Sequence, residues 1–173
     1  EIPSVNCIWL FSANDLNPNR SILFKNTLAP LCSFGSIPYH MSDPNTDSSV
    51  SLVRCGIDEV GRGPLAGPVT AAAAILPASY PVQHLGDSKS FSPARRLRIE
   101  RELLEGGVAF ALGWVEPEEI DRINIHNASL LAMRRAFDRL ASSIPSDIVS
   151  NLQVYVDGKF CPVGLSNCTA VIG

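Results

Sequence analysis

The chain has 173 residues, 46% of them hydrophobic and 18% charged, with a net charge of −3. That size suits one domain, with or without an appendage, and can bury a core without help from metal or disulfides. The acidic balance excludes binding of nucleic acid through a global positive field, so any such binding needs a local basic patch. No run approaches the ~18 apolar residues of a membrane span.

Residues 1–50 are rich in Ser, Asn and Pro and hold no sustained period of 2 or 3.6. Within them "MSDPNTDSS" (41–49) is linker-like. The segment is expected to be a disordered extension or a non-native leader, with Met41 as an alternative start. A transit segment is the rival: it is Ser-rich and acid-poor, but Arg20 and Lys25 are its only cations before Met41.

From residue 52 strand and helix patterns alternate. "LVRCGIDEV" puts Val53, Cys55 and Ile57 on one face of a strand, and "PVTAAAAILP" reads as its hairpin partner after a Gly/Pro turn. "SFSPARRLRIERELLEGG" predicts a helix with Ser92 as N-cap, Pro93 at its first position and Gly106-Gly107 as its stop. "VAFALGWVE" (108–116) is a third strand. Residues 117–143 form a long helix opened by Pro and acids, with Ile123, Leu130, Met133, Phe137 and Leu140 along one side. Residues 152–159 and 167–173 are two further strands. The pattern is α/β, a mixed sheet flanked by helices.

The five cysteines, Cys7, Cys32, Cys55, Cys161 and Cys168, are scattered without a Cys-x-x-Cys pair. They are expected to be reduced, buried thiols of a cytoplasmic protein.

Chemistry concentrates in "GIDEVGRGPLAGPV" (56–69). Asp58 and Glu59 are adjacent, so in a regular strand they point to opposite faces. They can converge only if the strand ends there, and Gly61, Gly63 and Pro64 are suited to end it. A solvated acidic turn is the plainer account of such a pair. Asp157, before Gly158, is a third carboxylate at a strand end, although an Asp-Gly turn would explain it alone. Three oxygen donors without His or Cys suit Mg2+ or Mn2+. Arg62 between two glycines sits on backbone that a phosphate can approach closely, but neither a P-loop nor a Gly-x-Gly-x-x-Gly loop is present.

The basic cluster Lys89, Arg95, Arg96, Arg98 and Arg101 reads either as a solvated helix face or as phosphate contacts. Ser88 and Lys89 sit in a loop just before that helix. Asn124 and Asn127 are unfavourable inside a helix, which points to a hydrogen-bonding role or a delayed helix start.

Together "GIDEVGRGPLAGPV", "DSK" (87–89), "INIHNASLLAMRRA" (123–136) and "VYVDGKFCP" (154–162) resemble ribonuclease HII of the bacterial type, over about residues 52–173. The resemblance implies a ribonuclease H-like fold and an endonuclease that cleaves the RNA strand of RNA/DNA hybrids. It also implies cleavage on the 5′ side of single ribonucleotides in duplex DNA by two-metal hydrolysis, leaving 5′-phosphate and 3′-hydroxyl ends. By that resemblance Asp58, Glu59 and Asp157 are catalytic and hold the metals, Mg2+ or Mn2+. Gly61, Arg62 and Gly63 recognise the ribonucleotide and its 2′-hydroxyl. From their own placement in the sequence, Ser88, Lys89, Asn124 and Asn127 are expected to contact substrate.

The family's fourth carboxylate and C-terminal helical part have no counterpart before Gly173. Residues 51–173 are therefore expected to be a partial catalytic domain with an incomplete metal site, an uncovered apolar sheet face and little cleavage. The partner is expected to be an RNA/DNA hybrid or ribonucleotide-containing duplex, bound by a cytoplasmic monomer away from any membrane. The alternatives are a non-catalytic hybrid-binding homologue and, more distantly, a metal-dependent hydrolase of small phosphoesters.

Overall fold

The computed structural model describes residues 53–63, 67–77, 80, 85 and 91–172. Residues 1–50, Ser88 and Lys89 lie outside them. Five strands form one sheet: β1 (Val53–Val60), β2 (Val69–Ile75), β3 (Ala109–Val115), β4 (Leu152–Asp157) and β5 (Cys168–Val171). The spatial order is β3-β2-β1-β4-β5. β1, β2 and β3 make an antiparallel meander, whereas β4 joins β1 in parallel and β5 joins β4 in parallel. The helices are α1 (Pro93–Glu105), α2 (Pro117–Ser143) and the short α3 (Ser146–Ser150). No helix among the described residues is long and apolar enough to cross a membrane.

Alternation sorts each strand into two faces. Cys55 and Ile57 of β1, Val69, Ala71 and Ala73 of β2, Val115 of β3, and Leu152, Val154 and Val156 of β4 are buried in one cluster. Their partners on α2 are Ala128, Ala132, Met133, Ala136 and Leu140, which recur at helical spacing. Ile57 is 1% exposed and Leu140 0%, so each contributes about 1.5–3 kcal/mol by leaving water. Three alanines four apart let α2 come down almost onto the sheet. Gly113 marks the point of closest approach: a Cβ there would collide with the Ala132 carbonyl and the Ala136 nitrogen. On the opposite face Phe110, Leu112, Trp114 and Tyr155 are half-buried.

α2 also protects the β3 edge. Arg135 Nη1 donates to the Trp114 carbonyl at 2.9 Å, and Arg139 Nη1 to the Leu112 carbonyl at 2.8 Å. The Arg139 guanidinium then lies 4.1 Å from the centre of the Trp114 ring. Arg135 additionally grips Glu119 with two nitrogens, at 2.9 and 3.0 Å, a fork geometry suited to a carboxylate. A smaller cluster of Tyr80, Ile99 and Leu103 seats α1, with Leu76, Leu85, Phe91 and Val108 around it.

Several local expectations hold. Ser92 Oγ accepts from the Arg95 amide and caps α1, with Pro93 at its start. Two expectations are corrected. β1 does not end at Asp58 and Glu59, because the ladder to β2 continues through Glu59–Ala71 and Val60–Thr70. Cys161 and Cys168 are joined as a disulfide. Their seven-residue separation folds back on itself at the β4–β5 connection, which sequence spacing does not disclose. Among the described residues Cys55 is the free thiol, and it is buried as expected; Cys7 and Cys32 lie outside them. The short helix α3 after Pro145 was not anticipated.

Candidate active site

The parallel register of β1 and β4 sets Ile57 opposite Val156. Asp58 and Asp157 are the next residue on each strand, so they stand at the same level. Because Ile57 and Val156 point to α2, both aspartates point to the opposite face. Asp58 is 8% exposed, and its Oδ1 accepts from the Glu59 amide at 2.7 Å. Asp157 pairs across to Val171 of β5, and the Gly158 amide donates to the Val171 carbonyl at 2.8 Å. This fixes the turn that follows Asp157.

Glu59, one residue beyond Asp58 on a continuing strand, projects the other way. Its Oε1 accepts from Arg62 Nη1 at 3.0 Å, with the Glu59 side chain 12% exposed and that of Arg62 50%. The structure thus brings Asp58 level with Asp157 and binds Glu59 to Arg62. Among the described residues no three His, Cys, Asp or Glu groups gather closely enough to hold an ion.

The two glycines around Arg62 differ. Gly61 has φ +97°, and a Cβ there would sit 2.8 Å from the Pro68 carbonyl. The fold itself demands that glycine. At Gly63 an added Cβ would meet nothing within 4 Å. Among the described residues its missing side chain serves no packing, and the space in front of the backbone is open.

α2 begins at this same end of the sheet, directly after β3. Its axis is broken at Asn124, which has φ +65° and ψ 163°. Asn124 Oδ1 accepts from the Asn127 amide at 3.1 Å, and Asn127 Nδ2 donates to the Ile123 carbonyl at 2.9 Å. Asn124 therefore caps a second helical segment, and the delayed helix start expected from the two asparagines is what they make. The neighbouring His126 ring meets the Phe160 ring edge-on, with centroids 5.1 Å apart. This contact ties the α2 break to the segment just after Asp157.

The arginines of α1 have local partners. Arg95 lies over the Phe91 ring, Arg96 donates to the Phe91 carbonyl, and Arg98 pairs with Glu102. These contacts fit the solvated helix face, one of the two readings open at the sequence level. Sequence reasoning missed Phe160. Its signal, an aromatic two residues beyond the strand-end Asp157-Gly158, is weak without the fold.

The family model described as Ribonuclease HII matches residues 55–162, more than half of the chain. The chain is 42% identical to Ribonuclease HII of Treponema denticola over 124 residues, 68% of this chain and 62% of that protein. To Ribonuclease HII of Ralstonia nicotianae it is 46% identical over 119 residues, 69% of this chain and 49% of that one. It thus spans about half the length of the relatives it matches. The solved structure of Bst-RNase HIII in complex with Mn2+ superposes with a TM-score of 0.50 at 23% identity, covering 64% of this chain and 38% of that one. That likeness is one of fold.

Proposed function

The chain belongs to the ribonuclease HII family, and from that membership we propose that it carries the catalytic core of an endonuclease acting on RNA within duplexes. Its substrates are RNA/DNA hybrids and duplex DNA holding single ribonucleotides. Cleavage on the 5′ side of the ribonucleotide leaves 5′-phosphate and 3′-hydroxyl ends. The enzyme is proposed to work as a monomer in the cytoplasm. The observation that carries the reading is the level pairing of Asp58 with Asp157, at the sheet end that also bears Gly61-Arg62-Gly63.

The donor set fits a hard divalent cation. Two carboxylates share one face, and hard oxygen donors are the chemistry of Mg2+ or Mn2+. Asp58 and Asp157 would hold such an ion, and Glu59, which points to the other face, would join only if the end of β1 rearranged. When bound, the metal supplies Lewis-acid stabilisation and an activated water for phosphodiester hydrolysis. The chain's own residues orient the substrate. The open backbone at Gly63 admits the nucleic acid, and Arg62 is placed for the ribonucleotide, whose 2′-hydroxyl separates RNA from DNA. Asn124 and Asn127 lie exposed at the same sheet end and offer amide groups to the strand. Ser88 and Lys89 are proposed to reach a flanking phosphate.

The Glu59–Arg62 pair favours one alternative, a hybrid-binding protein without cleavage, since it withholds one carboxylate from the metal. The deciding assay gives the protein extended to the length of its relatives, and the Asp58→Asn variant of that protein, a DNA duplex with one ribonucleotide, in Mg2+ and in Mn2+. Cleavage beside the ribonucleotide by the parent, with loss of at least about a hundredfold in the variant, is expected. Binding without cleavage by both would establish the alternative. Equal cleavage by both would remove Asp58 from the chemistry.

A further inference from the structure

Phe160 is 56% exposed and Val163 90%, on the β4–β5 connection just beyond Asp157. A large apolar side chain left in water on a mobile loop needs no explanation, but this loop is braced. The Cys161–Cys168 disulfide closes it. Arg134 Nη1 donates to the Val163 carbonyl at 2.7 Å. Arg134 is itself held by both Asp138 oxygens at 2.8 and 2.9 Å. Leu165 closes a turn back to Pro162, and the His126 ring edge abuts Phe160. The aromatic ring is therefore presented in a fixed place with little ordering entropy left to lose on binding. Lys159 next to it is exposed.

We infer that Phe160 is a nucleic-acid contact, packing its ring against the sugar and base edge of the duplex beside the cleaved phosphate while Lys159 meets the adjoining phosphate. The inference rests on the proposed function and deepens it. A braced aromatic flanked by a cation is the combination that binds nucleic acid without reading sequence: the ring supplies stacking or apolar contact, and the cation neutralises backbone charge. Its position fits, because Gly158 (φ +117°) turns the chain directly from Asp157 towards Phe160. The His126 contact joins that ring to the Asn124–Asn127 break in α2, which makes one continuous surface from the aspartates to the helix.

The test is fluorescence anisotropy of the chain with a labelled RNA/DNA hybrid in EDTA, across a salt series, for Phe160→Ala, Phe160→Trp and Lys159→Gln. Phe160→Ala is expected to weaken binding about tenfold with an unchanged slope of log affinity against log salt. Phe160→Trp is expected to stay within about twofold of the parent. Lys159→Gln should lower the magnitude of the slope by about one. A general loss of structure would not separate the two residues in this way. Parent-like binding by Phe160→Ala, or failure of Trp to replace Phe, overturns the inference while leaving the proposed function standing. A parent that binds no hybrid overturns the proposed function itself.

Discussion

Asp58 and Asp157, distant in sequence, stand level at the carboxyl ends of two parallel neighbours and on the same face of the sheet. Two carboxylates so placed are an unfavourable pair until a cation lies between them. If they share one ion, Asp58→Asn and Asp157→Asn should each weaken Mn2+ binding by about tenfold or more. The double variant should then lose much less than the sum of the two, because groups acting on one site are not additive. Electron paramagnetic resonance of free Mn2+ measures this directly. Losses that add in full would show that the two aspartates serve separate ions.

Gly113→Ala should destabilise the chain by about 3 kcal/mol, at the upper end of what overpacking costs. The added methyl has no flexible side chain to push aside, only the backbone of α2 at Ala132, Arg135 and Ala136. Urea denaturation reads the change. A variant as stable as the parent would mean that α2 can lift from the sheet at little cost.

Arg135 and Arg139 occupy carbonyls that an edge strand otherwise offers to another chain. Replacing both with Ala should expose β3 and produce concentration-dependent dimers or larger species, measured by light scattering coupled to size exclusion. Arg135→Ala should also loosen the first segment of α2, since the bidentate hold on Glu119 goes with it. A double variant no more associated than the parent at high concentration would show that the arginines do not guard the edge.

Burial pushes the Cys55 thiol up from 9.0 to about 12, with the Ala74 backbone opposing this slightly. A raised folded-state value means that the stability contribution is whole below about pH 9 and is lost as pH climbs towards 12, by up to roughly 4 kcal/mol. Tyr80 acts in the same direction, its phenol raised by burial and then by Glu102. Comparing the parent with Cys55→Ala isolates the thiol: the variant should be less stable at pH 7 but lose less between pH 9 and 11. Parallel pH profiles in chemical denaturation would contradict this.

Much of the fold was legible because its signals are local. Alternation located the strands, Ser92 and Pro93 announced α1, and Asn124 with Asn127, both disfavoured inside a helix, marked a helix start within α2. What stayed hidden depends on distant neighbours. Whether β1 stops at Glu59 is decided by Thr70 and Ala71, which go on pairing with it. Whether Cys161 bonds depends on β5 returning beside β4, and spacing says nothing of that return. The guard on β3 needs Arg135 and Arg139 to reach across from another element. The aspartates were legible as strand-end residues, but their shared level came only with the parallel register.

The sheet order also fixes when the candidate site can exist during folding. β1 and β2 pair across residues 61–68 alone, and β3 joins β2 across residues 76–108, which include α1. β4 must instead find β1 across the whole of α1, β3 and α2, which is the slow, non-local step of this topology. Asp58 belongs to the early piece and Asp157 to the late one. A nascent or partly folded chain therefore carries each aspartate singly, and the pair comes into being only when the central parallel ladder closes.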